Sequence, residues 1–128
     1  MNTQKLDIIL EKYSAEYLIC DSSYPIITNS SLEEESQLYN LSKFKLSKLI
    51  MDFIQMTDKQ ANSQTNVDNL SGGQKVVLMV LFALYSNAGK IVFINIESSL
   101  DSIRKEKLMS FIDKSRINKK DILIVKTV

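Results

Sequence analysis

The stretch Leu70-Ser71-Gly72-Gly73-Gln74-Lys75 runs straight into Val76-Val77-Leu78-Met79-Val80-Leu81-Phe82-Ala83-Leu84-Tyr85. A serine, two glycines and then ten apolar residues predict a helix that Ser71 caps and that must be covered on every side. Residues 1–57, a partner chain, or both have to supply that cover, because a bare surface of this kind aggregates. The run is too short to cross a bilayer.

Downstream, Lys90-Ile91-Val92-Phe93-Ile94 reads as a buried strand, and residues 101–114 as a helix with Leu108, Phe111 and Ile112 turned inward. Ile122-Leu123-Ile124-Val125 is a second apolar strand. Helix, strand, helix, strand in this order predicts an α/β arrangement with parallel strands.

Upstream, the polar residues 58–69 carry no periodicity and read as a loop. Residues 31–57 are expected to form one long helix. Ser30 with Glu33 and Ser31 with Glu34 are capping-box pairs, and Leu46, Leu49, Ile50, Phe53 and Ile54 form its apolar stripe. Lys43, Lys45 and Lys48 read as a solvated face. Residues 17–20 and 26–28 flank Asp21-Ser22-Ser23 and suggest a hairpin, with Pro25 confining the second piece to an edge. Leu6, Ile9, Leu10 and Tyr13 mark a helix over 3–15. The chain thus divides into an N-terminal segment, 1–69, and a C-terminal lobe, 70–128.

Composition narrows the chemistry. The 128 residues include no His, no Trp, one Cys, one Pro and three Gly, with 16 basic against 15 acidic residues. Without His there is no imidazole acid–base catalysis or ligation. A single Cys, Cys20, excludes an internal disulfide and a thiolate cluster, and reads as a small core residue. A net charge of +1 gives no global pull toward nucleic acid or membrane. The start of the chain shows no apolar signal region, so a soluble intracellular protein, cytoplasmic or nuclear, is expected.

Ser71-Gly72-Gly73-Gln74 at a helix start is suited to holding an anion. The glycines let the backbone come close, and the first N–H groups point outward with the helix dipole behind them. The plain alternative is a glycine loop with a serine cap.

Leu70 to Gln74 resembles the signature motif of the ABC-type ATPases, and Lys75 with its apolar helix looks most like the structural-maintenance-of-chromosomes and DNA-repair ATPase heads. The resemblance covers about residues 68–128. It implies a partial ABC-ATPase-like C-terminal lobe, made of signature helix, Walker-B-like strand, D-loop (Ser98-Ser99-Leu100-Asp101), helix and strand, behind an N-terminal helical and hairpin segment. It also implies that Ser71, Gly72, Gly73 and Gln74 face nucleotide and that Ser99, Leu100 and Asp101 meet a second head.

The sequence departs from that family in three places. No P-loop is present: Gly89-Lys90 lacks the earlier glycine, the following Ser/Thr and the helix. Ungapped from the D-loop, Ile94 stands at the Mg²⁺ acid and Asn95 at the catalytic Glu; with a gap, Asn95 takes the Mg²⁺ position. Neither register leaves a carboxylate there, and Mg²⁺ needs anionic oxygens. Glu97 is the one nearby acid that could substitute for the missing catalytic carboxylate, and its plain reading is a solvent-facing strand-end carboxylate. Thr127 falls where the switch His is expected, and Asp101 equally well caps the next helix.

The resemblance therefore implies a degenerate head with no turnover and no cofactor of its own. It would lend its signature in trans to ATP and Mg²⁺ held by a P-loop-bearing partner, or serve as a scaffold subunit. DNA would be reached only indirectly, and no membrane contact is expected. Two rivals are a protein-interaction module that reuses the fold, with residues 31–57 as its partner face, and one half of a split, active ATPase. A Gly73→Asp change is expected to separate a nucleotide role from scaffolding.

Overall fold

The computed structural model describes residues 16–127. The expected helix over 3–15 lies outside them. Among the described residues three strands form one sheet: β1 (Leu18–Asp21), β2 (Lys90–Ile94) and β3 (Asp121–Val125). Their order is β1-β2-β3 and both pairings are parallel, Leu18 opposite Ile91 and Ile91 opposite Ile122. The helices are α1 (Leu32–Gln37), α2 (Lys43–Thr57), α3 (Gly72–Tyr85) and α4 (Ser102–Ile117). A 3₁₀ turn, Val67–Asn69, precedes α3.

Alternation along the strands sorts the side chains into two faces. Leu18, Cys20, Ile91, Phe93, Ile122 and Ile124 join the main core with the helices. Tyr17, Ile19, Val92, Ile94, Leu123 and Val125 share the opposite face. Every residue of α3 from Val76 to Leu84 is buried. The same core includes Leu46, Leu49, Phe53 and Met56 of α2, and Leu108 and Ile112 of α4. The all-round apolar helix is therefore covered within this chain. Each of its large side chains contributes roughly 1.5–3 kcal/mol by leaving water. Tyr39 stacks on Phe82 with ring centroids 5.1 Å apart. The Tyr85 hydroxyl donates to Asp52 of α2.

Two expectations need correction. Residues 31–57 are not one helix. Ser31 does cap, accepting from Glu34 N–H at 3.2 Å, but α1 ends after Gln37. Asn40 turns left-handed with φ 56, and Leu41 N–H returns to the Ser36 carbonyl at 3.3 Å, closing the helix end. Ser42 then caps α2 by accepting from Lys45 N–H at 3.2 Å. An asparagine that tolerates the left-handed region and a second serine cap outweigh the apolar stripe.

Nor is there a hairpin at 17–28. β1 pairs with β2, and residues 26–28 are not a strand. The Asp21 carboxylate accepts Ser23 N–H at 2.9 Å and its carbonyl accepts Tyr24 N–H at 3.0 Å. That turn leads the chain to Glu35, which is fully buried. The Glu35 carboxylate accepts Ile27 N–H at 3.1 Å, Thr28 N–H at 2.9 Å and the Thr28 hydroxyl at 2.6 Å. Two of these bonds take the Ile27 and Thr28 backbone N–H groups that a second strand would have offered to a ladder. Cys20 is buried as expected, and burial pushes its thiol up to about 12.

Candidate functional site

Ser71 sits at φ −68, ψ 166, and α3 starts at Gly72. The cap is reciprocal: Ser71 Oγ accepts Gln74 N–H at 3.2 Å, and Gln74 Oε1 accepts Ser71 N–H at 2.9 Å. Among the described residues, the Gly72 and Gly73 N–H groups find no acceptor. They are the outward donors of this helix start.

The two glycines are there for different reasons. Neither has a positive φ. A Cβ on Gly73 would lie 2.8 Å from the Ser99 carbonyl oxygen and 3.8 Å from Leu100 Cδ2. Gly73 is thus what lets the signature-like turn close on the D-loop-like turn of the same chain. A Cβ on Gly72 would meet nothing within 4 Å, and Gly72 is exposed. No described residue requires a glycine there.

The 95–101 turn begins at Asn95, which is left-handed with φ 57. Asn95 N–H donates to the Val125 carbonyl at 2.9 Å. Its side-chain Nδ2 donates to Thr127 Oγ1 at 2.8 Å, and Thr127 N–H donates to Asn95 Oδ1 at 2.9 Å. Ser98 Oγ closes the turn on the Asn95 carbonyl at 2.9 Å. Asn95 and Thr127, which the resemblance would set at a Walker-B-like position and at the switch position, are therefore joined to each other. Sequence reasoning placed both but missed the pairing; an Asn leaving a strand without a following glycine was the available signal.

Ile94 is fully buried on the apolar face of the sheet. The Glu97 carboxylate pairs with Lys105 Nζ at 3.2 Å and stands beside a cavity of about 170 Å³ lined also by Asn95, Ile96, Ser98, Ile124 and Lys126. Buried aliphatic carbon at Ile94 and an amide already bonded on both ends at Asn95 do not fit Mg²⁺ in either register. Asp101 caps α4, accepting Arg104 N–H at 2.8 Å. That bond and the adjacent guanidinium hold its carboxyl below the ordinary aspartate value. Arg104 also reaches the Thr57 carbonyl at 3.2 Å, tying α4 to the end of α2.

Two of the solved structures that resemble this chain are ATP-binding cassettes. The ATP-binding cassette MJ0796, in a dimeric post-hydrolysis state bound to ADP and Pi, matches with a TM-score of 0.65 at 20% identity, over 88% of this chain and 53% of that one. The ATP-binding subunit of an ABC transporter matches with a TM-score of 0.64 at 16% identity, over 91% and 50%. No family model and no curated protein matches. The chain spans about half the length of these solved structures. Its three-stranded parallel sheet and covering helices have the fold of part of an ABC-type ATPase domain.

Proposed function

We propose that this chain is a non-hydrolysing partial head of the ABC and structural-maintenance-of-chromosomes type, which presents Ser71, Gly72, Gly73 and Gln74 to a nucleotide held by a P-loop-bearing partner. The observation that carries this is Gly72: an exposed glycine at a helix start, whose N–H meets no acceptor among the described residues and whose Cβ position none of them crowds. Such a position suits close approach of an anion. ATP and Mg²⁺ would belong to the partner, since Ile94 and Asn95 do not suit the metal. Ser99, Leu100 and Asp101 would meet the second head.

The test uses Gly72, because the Ser99 carbonyl beside Gly73 makes Gly73→Asp a folding defect as well. ATP-dependent co-purification with a P-loop-bearing protein from the native host should weaken in Gly72→Ala, whose methyl enters the space left for the anion, and disappear in Gly72→Asp. Heat-labile ATPase activity of the isolated chain that persists in Gln74→Ala and Glu97→Ala would overturn the reading.

A second reading, a protein-interaction scaffold, is favoured by Phe44 and Met51, 68% and 70% exposed on α2. It predicts co-purification indifferent to ATP and to Gly72→Asp.

A further inference from the structure

We infer that the hollow behind the 22–28 loop receives an apolar side chain of a separate polypeptide that carries basic residues on either side of it. This inference does not rest on the nucleotide reading. Among the described residues seven large apolar side chains are exposed, and three of them, Tyr24, Ile27 and Leu38, rim one hollow of about 160 Å³. They are 79%, 68% and 50% exposed. Pro25 completes the rim, and the buried Cys20 and Met79 lie at its floor. An aromatic ring, a proline and two aliphatic chains around an apolar floor can take one inserted side chain fully out of water.

The rim is fixed before anything arrives. The buried Glu35 carboxylate holds the Ile27 and Thr28 N–H groups, and the Asp21 carbonyl holds Tyr24 N–H at 3.0 Å. Tyr39, next to Leu38, is stacked on Phe82. A loop already held in place loses little freedom on binding, so Tyr24 and Ile27 are suited to anchor a partner.

Charge decides the flanks. Residues 18–42 contain Asp21, Glu33, Glu34 and Glu35 and no Lys or Arg. Glu35 is buried with its bonds made, and the Glu33 carboxylate accepts Gln64 Nε2 at 2.8 Å. Two acids remain. Glu34, one turn before Leu38, is exposed, and no described residue bonds its carboxylate. Asp21 lines the hollow; its Oδ1 accepts the neutral Ser23 N–H at 2.9 Å, and no described cation pairs with it. Lys75, one turn before Met79 on α3, makes no ion pair with a described residue. Lys45 and Lys120, beyond Tyr39, donate to the carbonyls of Tyr85, Ser86 and Ala88. Two unpaired carboxylates beside an apolar hollow favour a partner with Lys or Arg next to its inserted side chain.

A second copy of this chain would have to insert Ile117, 81% exposed near Lys114 and Lys119. That knob and the hollow are different surfaces, so the contact would not close and would run on into a filament. A separate polypeptide avoids this.

The test offers the folded full chain a synthetic peptide, Lys-Lys-Ala-Leu-Ala-Lys-Lys. Two counterparts carry glutamates for the lysines, or alanine for the leucine. The first peptide should shift the NMR signals of the Tyr24 ring and of the Ile27 and Leu38 methyls. Each counterpart should bind roughly tenfold or more weakly. Ile27→Ser, on the exposed rim, should weaken the first peptide about fivefold or more. Glu34→Gln keeps the backbone N–H that Ser31 caps and should weaken it about threefold, a difference that disappears at high salt. Equal binding of the three peptides, no shift at the hollow, or indifference to either substitution would overturn the proposal. So would self-association in sedimentation that Ile117→Ser abolishes.

Discussion

Asn95 and Thr127 hold each other by two hydrogen bonds, 2.8 Å from amide to hydroxyl and 2.9 Å from backbone N–H to amide oxygen. The pair pins the end of β3 to the turn after β2. Thr127 is 5% exposed, so its N–H has no ready substitute in water.

Asn95→Ala should destabilise the chain by ~2–3 kcal/mol, combining a buried unpaired N–H with a left-handed alanine. Thr127→Val should cost ~1–2 kcal/mol. Urea unfolding of both single variants and the double should show a coupling of ~1 kcal/mol. Additive losses would mean that the two side chains act separately.

Gly73 and Gly72 should respond oppositely to alanine. At Gly73 the new methyl meets the Ser99 carbonyl, and a loss of ~1–3 kcal/mol is expected from overpacking. At Gly72 the methyl enters open space on a helix, and a gain of ~0.4–1 kcal/mol is expected. Thermal melts of the two variants distinguish the outcomes.

Glu35 anchors the 22–30 loop through three accepted hydrogen bonds while fully buried. Glu35→Ala should cost ~2–3 kcal/mol and open Tyr24–Ile27 to proteolysis. Glu35→Gln, which keeps an acceptor, should cost about half as much. Limited proteolysis followed by mass spectrometry locates the cut.

Asp101 carries a pH dependence of definite sign. Its folded-state carboxyl is held below the ordinary aspartate value, chiefly by the Arg104 N–H and then by the guanidinium. Its contribution is complete above the ordinary value and disappears as pH falls through the lowered folded-state value. Asp101→Asn keeps a capping oxygen and should flatten stability against pH in that acid window. Urea midpoints measured from neutral to strongly acid pH check this.

The local elements of the C-terminal half are legible along the chain. The α3 run, the Ser71 cap with Gln74, the strand at 90–94 and the Asp101-capped helix are each written within a few neighbouring residues, where periodicity and capping act. The pattern misleads over 31–57 because an apolar stripe says which face is buried and not whether the helix is continuous; Asn40 and Ser42 decided that. Folding in three dimensions set β1 parallel beside β2, closed Gly73 on the Ser99 turn while Gly72 stayed open, brought Glu35 to its loop and joined Asn95 to Thr127. Each of these joins residues separated along the chain, by 7 for Thr28 and Glu35 and by 32 for Asn95 and Thr127. No local pattern encodes such a contact; it exists only once the packed core has brought the two segments together.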